Sequence, residues 1–195
     1  MMETQKVDYK NAFYPPGGIL IWIVLTVEII TFLLAIISFM YTRSQDVELF
    51  NSAQGHLNAT LGTLNTILLI TSGYFMAKTV SAIKKDENKK ANQFILIAAV
   101  MGFLFLVIKG FEYYNKIDLG LTLRTNTFFT YYWFLTGFHF LHVSVGVILL
   151  LAIKPSIKNK TYNSKDFLDV ETVATFWHMC DIIWILIFPV IYLMS

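Results

Sequence analysis

The chain has 195 residues, of which 56% are hydrophobic and only 14% charged, and its mean hydropathy is +0.59. Soluble domains carry roughly a quarter of their residues as charge, so this is a membrane protein before any motif is read. A net charge of +2 argues against a nucleic-acid partner, and the single cysteine, Cys180, excludes an internal disulfide framework or a CxxC metal site.

Five apolar runs are long enough to cross a bilayer core of roughly 30 Å, which takes about 20 helical residues. The first predicted span, 18–41, follows "YPPGG"; it is too long for a signal-peptide core and lacks a small-residue cleavage site, so it reads as retained. Glu28, Thr31, Ala35 and Ser38 form a small and polar stripe along it. The second, 57–82, repeats the pattern with Asn58, Gly62 and Asn65. "KKDENKK" separates it from the third, 92–113, which ends in "KGFEYYNK"; there Lys109 and Glu112 stand one turn apart, to pair or to snorkel to the interface. The fourth, 128–153, opens on the aromatic run "FFTYYWF", read as an interfacial, lipid-facing belt, and carries Thr136, His139, His142 and Gly146. The fifth, 170–194, carries Thr175, His178 and Asp181. Lipid admits only helices or closed barrels, and these runs are too long for barrel strands. The predicted fold is all-α: a five-transmembrane-helix bundle forming a single membrane domain over 1–195. No internal repeat and no soluble domain is evident. The "NAT" and "NKT" triplets at Asn58 and Asn159 are discounted as glycosylation sites, one abutting a span and the other lying in a loop read as cytoplasmic.

Basic residues orient the bundle. Lys6, Lys10, Lys78, Lys84, Lys85, Lys89, Lys90, Lys154, Lys158, Lys160 and Lys165 fall on one side, against Arg43, Lys116 and Arg124 on the other. The positive-inside rule then places the N-terminus in the cytoplasm and the C-terminus outside.

Glu28, His139 and Asp181 lie ten or eleven residues into their spans, at a depth of roughly 16 Å, near mid-bilayer. Ionisable groups there face the bundle interior or a partner. Two histidines at i, i+3 with a third on the next span offer imidazole ligands to copper, zinc or haem. A hydrogen-bonded seam between helices is the simpler expectation, because buried polar groups are usually satisfied by protein. His178 and Asp181, one turn apart, can stabilise each other's charge. Glu28, as a lone carboxylate, reads as protonated and as a candidate for proton conduction.

Taken in order, "PGGILIWIVLTVEIITF", "LNTILLITSGYF", "KGFEYY", "NTFFTYYWFLTGFHFLHVSVGVILL" and "FWHMCDIIWILIFPVIYLM" resemble subunit III of the haem-copper oxidase superfamily, and are most similar to its short five-helix NorE-type members. The resemblance covers all five spans. It implies a non-catalytic accessory subunit of a respiratory cytochrome c oxidase-type or nitric oxide reductase-associated complex. Subunit I would hold the haem and copper, with no cofactor or metal in this chain and room for bound phospholipid. Glu28 matches the family's buried glutamate near a proton or oxygen route. Glu112, His139, His142, Glu171, Trp177, His178, Asp181 and Trp184 match positions with structural interhelical or lipid-contacting roles. The implied location is the bacterial cytoplasmic membrane, and the implied partners are subunit I, the other subunits and membrane lipid. Larger members have two further helices ahead of these five. The rival reading is a free-standing membrane carrier or small redox protein using Glu28, His139 and His178 directly.

Overall fold

The computed structural model describes residues 15–194, so Lys6 and Lys10 of the orientation argument lie outside the described residues. Six helices follow in order: α1 Ile19–Gln45, α2 Val47–Gln54, α3 Ala59–Ile83, α4 Asn88–Asp118, α5 Thr127–Lys158 and α6 Leu168–Tyr192. All but α2 are long and apolar enough to span a membrane, and they coincide with the five predicted spans. The chain is a multi-pass, all-helical membrane protein.

Side-chain caps set where several helices begin. The Asn58, Asn126 and Asp46 carboxamide or carboxylate oxygens accept the backbone N–H of Leu61, Phe129 and Leu49 at 3.1, 2.9 and 3.1 Å, each satisfying a first-turn donor the helix cannot pair itself. The triplet at Asn58 is therefore a helix cap. Several helices run further than expected, α1 among them, which continues to Gln45. α4 extends about a turn past each end of its apolar run, and α5 continues through Pro155 to Lys158. Proline there removes one backbone donor near the helix end, where few bonds depend on it.

α6 is the central element, touching α1, α3 and α5, while α4 packs between α3 and α5. Of the most apolar stretch of α6, 56% is buried, against 11% for α1, which lies on the outside against α5 and α6. The short α2, absent from the predicted elements, folds back over one end of the bundle. Its Phe50 meets Phe39 of α1 at 5.2 Å and Phe128 of α5 at 5.7 Å, ring edge to ring face, the arrangement aromatic quadrupoles favour. Phe128, Phe129 and Tyr132 are thus buried, and of the expected lipid-facing belt Phe134 is the member clearly exposed.

The opposite end is tied by loops. The Asp86 carboxylate, at a turn with φ of 58°, accepts the Ser164 N–H at 2.7 Å, which holds its pKa below the ordinary carboxylate value. Lys84 reaches Glu171 at 3.0 Å.

Candidate functional site

The intramembrane polar groups sort into three sites instead of one shared seam. The most buried lies near the α2-covered end. Lys109 and Glu112 of α4 form an ion pair at 3.2 Å with both side chains almost wholly shielded, so the pair forms and does not snorkel. Glu112 Oε1 also accepts the phenol hydroxyls of Tyr132 (α5) and Tyr192 (α6), each at 2.7 Å. Lys109 donates to the same two phenols. Its ammonium sits 4.9–5.5 Å from the ring centres of Tyr132, Tyr192, Tyr113 and Trp184. Carboxylate, hydroxyls and ring faces together replace the water the cation gave up. Tyr113 donates to Thr136 at 3.0 Å, and Thr136 to the Tyr132 carbonyl at 2.6 Å, linking α4 to α5 a second time.

Tyr132 and Tyr192 are the residues that sequence reasoning left out of this site. The i, i+3 spacing of Lys109 and Glu112 was a legible signal, but the tyrosines come from other helices and one sat inside a run read as lipid-facing.

The second site joins α1 to α5. His142 Nε2 lies 3.3 Å from Glu28 Oε2, and His142 Nδ1 lies 2.8 Å from the Phe138 carbonyl. Glu28 is therefore not a lone carboxylate. A carbonyl only accepts, so Nδ1 carries a hydrogen. Nε2 is thereby left to face the Glu28 carboxyl group. The site is partly open at the bundle's side, with the two side chains 14% and 25% exposed.

The third lies on α6 beside α3. His178 Nδ1 and Asp181 Oδ2 are 3.2 Å apart, as their spacing suggested. Asp181 packs against Gly73 of α3, where even a methyl group would collide with the carboxylate. Nearby Trp177 donates to Ser72 at 3.1 Å and Ser72 to the Ala98 carbonyl at 2.7 Å, tying α6, α3 and α4 together. Trp184 donates to Thr66 of α3 at 2.9 Å.

His139 joins none of these. It is fully buried, stacks on Trp184 at 5.2 Å and meets Phe105 edge-on at 5.8 Å. Neither ring nitrogen has a protein hydrogen-bond partner among the described residues. The histidines therefore do not hydrogen-bond α5 to α6: His139 meets α6 by stacking, His142 pairs with α1, and His178 bonds within its own helix. Among the described residues, no three His, Cys, Asp or Glu side chains converge as a metal cage. Glu171, at the far end of α6, makes the loop-side bridge to Lys84.

The chain is similar to known sequences. Residues 55–195 match the family model for cytochrome c oxidase subunit III. Cytochrome c oxidase subunit 3 of Thermostichus vulcanus is 37% identical over 134 residues, covering 68% of this chain and 65% of the relative. The Synechocystis protein of the same name is 35% identical over 139 residues, covering 71% of this chain and 58% of the relative. Cytochrome bo(3) ubiquinol oxidase subunit 3 of Buchnera aphidicola is 28% identical over 174 residues, 89% of this chain and 84% of that one, a match long enough to take in Glu28 as well. The alignments to the first two relatives span about three-fifths of those proteins' own lengths. With residues 55–195, which hold α3–α6, matched by that family model, the chain belongs to the cytochrome c oxidase subunit III family.

Proposed function

We propose that this chain is an accessory, non-catalytic subunit of a respiratory haem-copper oxidase in a bacterial cytoplasmic membrane. Membership of the subunit III family is the observation that carries the reading. The haems and copper belong to subunit I in this account. Lys109 pairs with Glu112 and His178 with Asp181, which supports a structural role for these groups. The relatives are oxidases of cytochrome c and of ubiquinol by name, which favours an oxygen-reducing complex over a nitric oxide reductase. The lysine distribution supports a cytoplasmic N-terminus and an outer C-terminus. On that orientation the Lys109–Glu112 site lies toward the outside. Phospholipid would fill the shallow apolar grooves between helices, such as that between α4 and α5.

Glu28 and His142 are the residues we assign to proton supply. They lie 3.3 Å apart deep in the membrane-spanning part of α1 and α5, on a side of the bundle that is not sealed. Gentle-detergent purification of the tagged chain, with mass spectrometry of what accompanies it, tests the assignment. A haem-bearing subunit I in equal amount is expected, and its haem type distinguishes oxygen from nitric oxide as substrate. Recovery of the intact chain alone from membranes that contain an oxidase would overturn the reading.

A further inference from the structure

Near the α2-covered end, between α3 and α4, an open cavity of about 570 Å³ is lined by His56, Leu61, Glu112, Asn115, Lys116 and Asp118 among others. We infer that it is a water-filled inlet, carrying water from one face of the membrane to the Lys109–Glu112 pair and onward to His139 and Asn65.

Three observations converge on this. First, Glu112 is lopsided. Its Oε1 takes Lys109, Tyr132 and Tyr192, while its Oε2 has no protein partner although the residue is 2% exposed and lines the cavity. A carboxylate oxygen with free lone pairs at the floor of a polar cavity takes water as its donor. Second, the mouth is hydrophilic. Lys116 folds in to the His56 carbonyl, and Asn115 and Asp118 stand beside it, so the cavity offers an entering water several partners.

Third, both walls continue inward along the same helix faces. One turn beyond Leu61 on α3 is Asn65, fully buried, with neither its amide oxygen nor its nitrogen bonded to protein. One turn beyond Glu112 on α4 is Lys109. Trp184 covers that ammonium at 5.5 Å and stacks on His139, whose two nitrogens are likewise without protein partners. Buried polar atoms in native proteins are satisfied by protein or by internal water, about one buried water per 27 residues. Five such atoms are found on Glu112, which lines the opening, on Asn65 one turn further along α3, and on His139 behind Trp184, and these mark the path. The inlet gives Glu112 proton exchange with a single aqueous phase. It is separate from the Glu28–His142 site and does not depend on which oxidase the chain serves.

Radiolytic hydroxyl labelling of the chain in native membranes tests it, because radicals form where water is and are read residue by residue by mass spectrometry. Tyr132, Tyr192 and His139 are expected to be oxidised several-fold faster than Phe39 and Phe50, which are equally buried at the same end but sit in a dry ring cluster. If all five are equally silent, the site is dry and the inference fails. Mixing with ¹⁸O-water for milliseconds before the pulse separates an inlet from a sealed pool. Incorporation of ¹⁸O at His139 is expected, and ¹⁶O alone would overturn the connection to bulk water.

Discussion

At the scale of single residues, the Lys109 ammonium is a buried charge that water does not reach directly. It is fully shielded, and its stability rests on Glu112, two phenols and a ring of aromatic faces. Removing one partner of such a pair leaves an uncompensated buried charge, which costs about 3–5 kcal/mol, whereas replacing both by apolar groups is often neutral. Glu112→Ala is therefore expected to destabilise the protein by about that amount. The double variant Lys109→Met with Glu112→Leu should recover most of the loss. Unfolding in mixed micelles reads both, and a single variant as stable as the double would show that the pair is not what holds α4 to α5 and α6. Half of this site was legible in the sequence. A lysine and a glutamate one turn apart announce a pair, but nothing local to Tyr132 or Tyr192 says that three helices bring their hydroxyls to one carboxylate oxygen.

At the scale of elements, helix contact is set by where small residues let a large one in. The Trp177 indole of α6 lies against Gly102 of α4 and Gly146 of α5, with ring carbons 2.5 and 2.6 Å from where a β-carbon would stand. Without a hydrophobic driving force between helices in lipid, such close packing is what associates them. Gly146→Ala is expected to cost about 1–3 kcal/mol, as overpacking does. Gly137 of the same helix has nothing within 4 Å of that position, so Gly137→Ala should be neutral or slightly stabilising. Equal effects from the two, in the same unfolding measurement, would contradict this account of the α4–α5–α6 contact. The five spans were readable because a bilayer demands about 20 apolar residues in a row. α2 was not, because eight residues capped by Asp46 leave no such run; its only trace is the i, i+3, i+4 burial pattern of Phe50, Ala53 and Gln54. The "FFTYYWF" run misled for a related reason. An aromatic at a helix start suits an interface, and only the packing of α2 and α6 shows that Phe128, Phe129 and Tyr132 face inward.

At the scale of the whole molecule, the polar groups that first suggested a metal centre are distributed over separate helix contacts. His142 faces Glu28 and His178 faces Asp181, so each of these two histidines has a carboxyl partner of its own. His139 is the exception. Its free nitrogens are the one place where a metal reading and a hydrated interior compete. The subunit III family assignment and the accessory role proposed from it favour the second. The decisive measurement is the metal and haem content of this chain once it is separated from its complex in detergent, by optical spectroscopy and elemental analysis. The account expects a colourless protein with far less than one copper, zinc or iron per chain, while the haem spectrum stays with the catalytic subunit. A bound metal or haem at one per chain, lost in His139→Ala, would make that histidine a ligand and contradict the accessory, cofactor-free role.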